Sequence, residues 1–231
     1  MNLLNIGNNS KTIKSDLGGE YLTSILYLSP AITSGYQVCP SATNGCKLAC
    51  LHTAGRGKMN SVQKARLNKT IMLFEEKENF RNTLYKELIA FSKRCDKLKV
   101  KPAVRLNGTS DIDWPQKFPE LFTDFPQIQQ YNYTKQEKVM HNYMEGKYPI
   151  NYYLTFSRSE NNWNFCKEVL DNNHTVAVVF DEVPEKYEGY KVVDGDLTDL
   201  RFLDEKGCVI GLKAKGEATK DKTDFVVRLR K

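Results

Sequence analysis

The sequence predicts a single α/β domain, folded as a partial (β/α) barrel of about six to eight mainly parallel strands. After Pro102, short apolar segments alternate with helical or loop segments, which is typical of parallel strands joined by crossovers. The segment HTVAVVF (174–180) is almost wholly apolar, as in a strand covered on both faces. The 231 residues are enough for one sizeable core, so we expect residues 1–231 to form one domain.

The first part of the chain predicts an arm, a strand, a loop and two helices. Residues 1–20 lack a sustained period and indicate an irregular N-terminal arm. LTSILYLSP, from Leu22 to Pro30, predicts a buried strand stopped by its proline. A cysteine loop, residues 36–57, follows. From Asn60 to about Arg94 apolar residues recur at three- and four-residue steps, predicting two helices with a break at Glu78-Asn79.

The rest of the chain alternates between the two periods. Helices are predicted at 136–145 and at 163–170, the second capped by Asn161 or Asn162. The predicted strands are 102–111, 128–135, 151–160, 174–180, 190–196 and 208–216, with FVVRL (225–229) as a last edge strand.

The cysteine loop carries the strongest chemical signal. Cys39, Cys46 and Cys50 fall within twelve residues, and thiolates are preferred ligands of zinc, copper(I) and iron–sulfur clusters. Their spacing matches neither the paired C-x-x-C of zinc ribbons nor the zinc-finger pattern. We therefore expect an iron–sulfur cluster, of the 4Fe-4S type with one open iron, and zinc is the alternative. His52 is close enough in sequence to be an extra ligand.

Other interpretations of these thiols stay open at this stage. The cysteines could be packed as small apolar residues, or two of them could form a disulfide. The N-terminus has no secretory leader, which predicts a cytoplasmic protein, and in a reducing cytosol clustered cysteines are more often metal-binding or catalytic. Cys95 is predicted to be packed rather than ligating.

Polar residues follow most of the predicted strands. In a barrel these positions meet at one mouth, which the cysteine loop also reaches because it follows the first strand. The predicted substrate-binding residues are Arg105, Asn107, Ser110, Asp111, Tyr133, Lys135, Ser157, Arg158, Glu160, Asp194, Asp196, Lys213 and Lys215.

Each of these groups also has a local explanation. NGTSDID (107–113) could bind substrate or form a polar turn that caps the next segment. Arg158 could hold a phosphate or carboxylate, although its run also resembles a helix start. Asp194 and Asp196 could coordinate a hard cation or simply flank a turn. Lys213 and Lys215 point the same way from a strand, either into the mouth or into solvent.

The positive charge is concentrated in one segment. The net charge is +6, and between Lys58 and Lys101 twelve Lys or Arg stand against five Asp or Glu. This excess could face nucleic acid or a host protein, or it could be a solvated helix surface. No run approaches the roughly 18 apolar residues of a membrane helix, so no membrane partner is expected.

Long motifs resemble a known family. CPSATNGCKLAC with AGRG, AVRLNGTSDIDW, YNYTK, YYLTFSRSE, VAVVF, VDGDLTDLRFLD and GLKAKG resemble, in that order, the phage family called gene product 88. The resemblance covers about Tyr36 to Val227 and implies a phage or prophage origin, hence the host cell cytoplasm. Its pattern includes Cys39, Cys46 and Cys50 but not the other three cysteines.

A weaker resemblance is to radical S-adenosylmethionine enzymes. These have a partial α/β barrel and three cysteines in the loop after the first strand, which hold a four-iron cluster whose open iron binds the cofactor. The order matches here, but the C-x6-C-x3-C spacing departs from their C-x-x-x-C-x-x-C. This resemblance implies S-adenosylmethionine as a further cofactor.

Together these patterns predict a phage-derived iron–sulfur protein. We expect a radical-SAM-like or other cluster-dependent enzyme acting on a small or nucleotide-like anionic substrate. The alternative is a metal-stapled binding protein that contacts nucleic acid or a host protein through 58–101 without catalysis. A structural zinc protein is the third interpretation.

Overall fold

The computed structural model describes residues 1–7, 13, 16 and 19–229. Its ten described strands form one mixed, mostly parallel sheet that does not close. The strands are β1 Leu4–Ile6, β2 Tyr21–Leu26, β3 Lys101–Arg105, β4 Gln129–Thr134, β5 Tyr152–Ser157, β6 Val176–Phe180, β7 Lys186–Tyr187, β8 Tyr190–Asp194, β9 Val209–Lys213 and β10 Val226–Val227.

Seven α-helices lie within the described residues. They are α1 Asn44–Leu48, α2 Asn60–Glu75, α3 Lys77–Leu98, α4 Trp114–Lys117, α5 Glu120–Thr123, α6 Glu137–Met144 and α7 Trp163–Asp171. Single turns of 3-10 helix occur at Leu51–Thr53, Gly55–Lys58, Arg201–Leu203 and Gly216–Lys220.

The strand order is β1-β2-β3-β4-β5-β6-β9-β8-β7, with β10 beside β6. Strands β2 to β6 follow one another in chain order and pair in parallel, and β9, β8 and β10 continue the parallel pairing. Among the described strands only two pairs, β1 with β2 and β7 with β8, are antiparallel. Right-handed crossovers between successive neighbours place the helices on one face of the sheet.

The prediction of a single, mainly parallel α/β domain is confirmed, and two finer parts of it are not. The sheet has ten strands instead of six to eight, and it stays open, so a partial barrel is not confirmed. The strands without a counterpart in the prediction are short: β1 has three residues and β7 has two. Segments of that length are too short to show a hydrophobic period.

Three local predictions need correction. Residues 4–6, inside the predicted irregular arm, form a strand against β2; residues 8–12, 14–15 and 17–18 of that arm lie outside the described residues. The break between the two long helices is at Glu76, two residues before the predicted position. The predicted edge strand FVVRL is shorter than expected: among the described strands β10, Val226–Val227, pairs with the end of β6 alone.

The helical face of the sheet holds the main core. Helix α3 buries Phe80, Leu84, Leu88 and Phe91, which recur at helical spacing and pack with strand residues such as Val104. Each such side chain contributes roughly 1.5–3 kcal/mol when fully buried. This face positions the strands, and their carboxyl ends carry the candidate site.

The opposite face is covered by an inner segment, residues 198–204. Leu200 packs with Ala103 and Tyr131, and Phe202 makes an edge-to-face contact with the Tyr131 ring. The segment also brings charge into the interior. Asp199 accepts hydrogen bonds from Arg105 at 3.2 Å and from the Tyr131 hydroxyl at 2.8 Å.

No helix in the described part of the chain is long and apolar enough to span a membrane.

Candidate functional site

The cysteine loop lies across the carboxyl ends of the strands. The Asp111 amide, after β3, donates to the Val38 carbonyl at 2.8 Å. The Glu160 carboxylate, after β5, accepts from the Gly45 amide at 2.8 Å and from the Thr43 hydroxyl at the start of α1. The loops that follow β3 and β5 therefore fix the cysteine loop at the carboxyl edge of the sheet.

Gly45 marks the tightest contact between the loop and the sheet. A Cβ atom there would lie 2.1 Å from Thr223 Oγ1, 2.5 Å from Glu160 Oε1 and 2.5 Å from Phe225 Cβ. Real side chains do not tolerate such separations, so the loop can dock in this position only with glycine.

We expect Gly45→Ala to lower the free energy of unfolding by about 1–3 kcal/mol, the usual cost of overpacking. The added methyl must push α1 away from Glu160 and Phe225. Denaturant unfolding followed by circular dichroism measures the loss. The matched control is Asn44→Ala at the exposed neighbouring position, where we expect a change within about 0.5 kcal/mol. Equal stability of the two variants would contradict this contact.

Cys39, Cys46 and Cys50 are free thiols, each half-buried. Burial raises the pKa of Cys39 to about 12, and the charges of Asp111, Cys50 and Cys46 add to this rise. Burial also raises the pKa of Cys50, and the charge of Cys46 adds to this rise. A hydrogen bond from the His52 amide and the positive charges of Arg66 and Lys135 oppose it. The structure therefore brings the three sulfur atoms within electrostatic range of one another.

In the described residues, no three His, Cys, Asp or Glu side chains already stand in an arrangement that could hold a metal ion. The donor chemistry nevertheless fits a thiolate centre. The Ala31 amide donates to Cys39 Sγ at 3.4 Å, and the His52 amide hydrogen-bonds to Cys50. Backbone N–H groups and nearby cations are the features that stabilise thiolate sulfur in iron–sulfur sites.

A polar cavity of about 350 Å³ opens beside the loop, at the carboxyl ends of β4 and β5. Lys135, after β4, supplies its one basic group among the lining residues. The lining consists of Ser41, Thr43, Lys135, Glu137, Ser159, Asn161 and Asn162. Its hydroxyl, amide and ammonium groups suit a small, hydrogen-bonding ligand.

Several predicted substrate-binding residues hold the protein's own loops in this structure. Asn107 Oδ1 accepts from the Ser110 hydroxyl at 2.8 Å and from Trp114 Nε1 at 2.8 Å. Arg158 donates to the carbonyls of Asp224 and Phe225. These contacts, and that of Glu160 described above, favour the local explanations for NGTSDID and for the run after β5.

Arg105 and Tyr133 face the inner segment. The Arg105 guanidinium lies 4.5 Å from the centre of the Tyr133 ring and pairs with Asp199. Burial raises the pKa of Tyr133 to about 12, so its hydroxyl is protonated at neutral pH. Ser157 is buried, and its carbonyl accepts from Asn162 Nδ2 at 3.1 Å.

Asp111 sits between Cys39 and the cavity residue Lys135. Its carboxylate accepts from the Lys135 amide at 2.9 Å and from Gln136 Nε2 at 3.3 Å. Burial raises the pKa of Asp111, while these hydrogen bonds oppose the rise. Asp111 thereby joins the loop after β3 to the loop after β4.

The residues after β8 and β9 form a separate cluster. Asp196 pairs with the Lys215 ammonium at 2.9 Å and accepts from the Lys213 amide at 3.1 Å. Asp194 accepts from the Asp196 amide at 2.8 Å, as in a turn. Lys135 is thus the member of the predicted set that lines the described cavity.

The sequence patterns missed one residue near the thiols, Arg66. Arg66, Lys69, Thr70 and Leu73 are the buried residues of α2, and their spacing defines one helix face. The spacing of the polar residues was the available signal.

The model of one protein family, described as Gene product 88, matches residues 1–229. The match extends the predicted resemblance over nearly the whole chain. No curated protein and no solved structure matches the chain.

Proposed function

The chain belongs to the phage gene product 88 family, and we propose that it binds an iron–sulfur cluster through Cys39, Cys46 and Cys50. The observation that carries this proposal is that three free, half-buried thiols, within electrostatic range of one another, lie on a loop fixed over the carboxyl edge of the sheet. Three protein thiolates leave one iron of a 4Fe-4S cluster open. A zinc ion would need a fourth ligand, for which His52 is the nearest candidate in sequence.

The cavity beside the cysteine loop offers groups that suit an anionic substrate. The cavity beside the loop contains Lys135 together with hydroxyl and amide groups, and the carboxylate of Glu137 also lines it. We propose that a small or nucleotide-like anionic molecule binds there, in a radical-SAM-like or other cluster-dependent reaction in the host cell cytoplasm. When bound, a cluster with an open iron supplies redox or Lewis-acid chemistry, with S-adenosylmethionine as one candidate ligand. Lys135 would hold the anionic group of the substrate.

The test is anaerobic purification followed by iron, zinc and acid-labile sulfide analysis of the full chain. We expect a brown protein that contains iron and sulfide in about equal amounts, as a 4Fe-4S cluster requires. Zinc without sulfide would support the structural zinc interpretation instead. A colourless protein with neither metal would contradict the proposal.

A second candidate function, a binding protein without catalysis, rests on the surface of the same region. Residues 21–74 contain no Asp or Glu. Exposed cations in this stretch (Lys47, Arg56, Lys58 and Lys64) stand near exposed apolar side chains (Leu48, Leu51 and Met59). Such a surface suits an acidic host protein or nucleic acid.

Two cations of the predicted basic segment, 58–101, are buried, which reduces the number of positive charges that the segment can present to a partner. Arg66 is 9% exposed and Lys69 4% exposed, so neither can contact a partner on the surface.

The measurement that separates the two functions is retention on nucleic acid at increasing salt. Retention that falls steeply with salt in the metal-free chain would favour the binding function.

A further inference from the structure

We propose that Arg66 is the anchor of an oxyanion-binding subsite beside Cys50, which takes a carboxylate or phosphate group of a small molecule. The inference deepens the proposed function and rests on it only in assigning the bound anion to a substrate. The subsite itself requires neither iron nor zinc.

The guanidinium of Arg66 is buried and has unused hydrogen-bond donors. Its Nε and Nη1 atoms are shielded from solvent, and neither has a hydrogen-bond partner in the part of the chain that the structure describes. Arg66 Cζ lies 4.9 Å from the centre of the Tyr27 ring, which follows β2 at the carboxyl edge of the sheet. The side chain therefore extends from α2 to the same edge as the cysteine loop.

The Tyr27 ring alone does not compensate for this burial. A cation over an aromatic face gains about 0.5–2 kcal/mol. Removing the hydration of a charged group costs several kcal/mol per ion, and leaving a buried donor unsatisfied costs about 1–3 kcal/mol more. Burial lowers the pKa of Arg66, but a guanidinium remains charged at any physiological pH. Because the cost of burial exceeds the gain from the Tyr27 ring, an anion is needed to stabilise the Arg66 guanidinium.

Other buried cations of the protein have partners within the chain, and two arginines pair with carboxylates. Arg105 pairs with Asp199 at 3.2 Å and Arg201 with Asp204 at 3.2 Å. Lys69, one helical turn after Arg66, donates to the Leu3 carbonyl at 2.7 Å. Burial lowers the pKa of Lys69, and the charge of Glu87 opposes this change.

The described residues provide no carboxylate as a salt-bridge partner for Arg66. The groups whose charges act on its pKa are Tyr27 and Cys50. The contrast with Arg105, Arg201 and Lys69 indicates that the anion lies outside the described residues, and we assign it to a bound ligand.

A second unused polar atom lies in the same neighbourhood. His52 Nδ1 is buried without a hydrogen-bond partner in the described residues. His52 lies within electrostatic range of Arg66, and its Nδ1 can donate a hydrogen bond when it carries the ring proton. Two guanidinium donors and one imidazole donor match a ligand group with several acceptor oxygens.

The experiment is isothermal titration calorimetry of the full chain in a chloride background, with inorganic phosphate in one arm and citrate in the other. Each titration is run on the protein as purified and after chelation of metal. We expect saturable binding of at least one oxyanion, and Arg66→Met should weaken it at least tenfold. Binding of phosphate alone would assign the subsite to a phosphate group. Binding of citrate alone would assign it to a carboxylate group.

The matched control is Lys64→Met, which removes an exposed positive charge from the same helix and should leave the affinity within about twofold, as a solvated and screened charge. Circular dichroism establishes that both variants are folded. Since Arg66→Met removes an uncompensated charge, we expect its thermal midpoint to equal or exceed that of the wild type without ligand.

Absence of oxyanion binding in the wild type, or equal binding in Arg66→Met, would overturn the subsite. Binding that survives chelation but disappears in Arg66→Met supports the subsite even if metal analysis contradicts the iron–sulfur proposal. The two proposals can therefore fail separately.

Discussion

Replacing Cys46 with serine should remove most of the iron and sulfide from the anaerobically purified protein. A serine hydroxyl is a poor substitute for a soft thiolate, and a centre with three protein ligands has little redundancy. We expect the iron content to fall about tenfold or more, at least the loss that follows removal of a group that only orients a metal ligand. Iron and sulfide analysis together with visible absorbance measures the loss.

Cys208→Ser is the matched control for this experiment. Cys208 is buried at the start of β9, far along the chain from the loop, and its thiol donates to the Glu205 carbonyl at 2.8 Å. A serine can keep that hydrogen bond, so iron content should stay near that of the wild type. If the two variants lost metal equally, the assignment of the three ligands would be wrong.

Asp199→Asn should produce the largest loss of stability, about 3–5 kcal/mol in the free energy of unfolding. The Asp199 carboxylate accepts from Arg105 Nη1 through both oxygens, at 3.2 and 3.3 Å, and from the Tyr131 hydroxyl. An amide cannot neutralise the buried guanidinium, which would then remain as an uncompensated charge under the inner segment. Thermal unfolding should show a midpoint lower by about 10 °C.

Asp194→Asn is the control for Asp199. Asp194 is exposed, and an asparagine keeps the Oδ1 atom that accepts from the Asp196 amide. We expect a change within about 0.5 kcal/mol. A loss for Asp199→Asn no greater than this would show that the inner segment does not depend on the charge pair.

The sequence predicted the regular elements well where the hydrophobic pattern was long. The strand predicted at 174–180 is β6, Val176–Phe180, and the helix predicted at 163–170 is α7, Trp163–Asp171. The short strands β1 and β7 were out of reach because pairing with a neighbour, not an intrinsic period, creates them. Closure of the sheet was also out of reach, since it depends on strand tilt and register.

The candidate site was predictable in position and less so in detail. Strand order alone indicated that the cysteine loop would reach the carboxyl edge of the sheet, and Glu160 and Asp111 do bind it there. The sequence did not reveal that Glu160 and Arg158 are occupied by backbone groups of the protein. Such pairings join residues far apart in the chain, as between Arg158 and Phe225. Arg66 was missed because charged side chains are rarely buried without a partner.

The contacts of Gly45 also set an order of events during synthesis. The cysteine loop leaves the ribosome early, whereas Glu160, Thr223 and Phe225, against which Gly45 packs, emerge much later. Until then the three thiols stand on a loop without its supporting strands, exposed to oxidation and to stray metal ions. The proposed cluster would therefore be loaded late, after the chain is complete, and the nascent thiols would have to stay reduced in the interval.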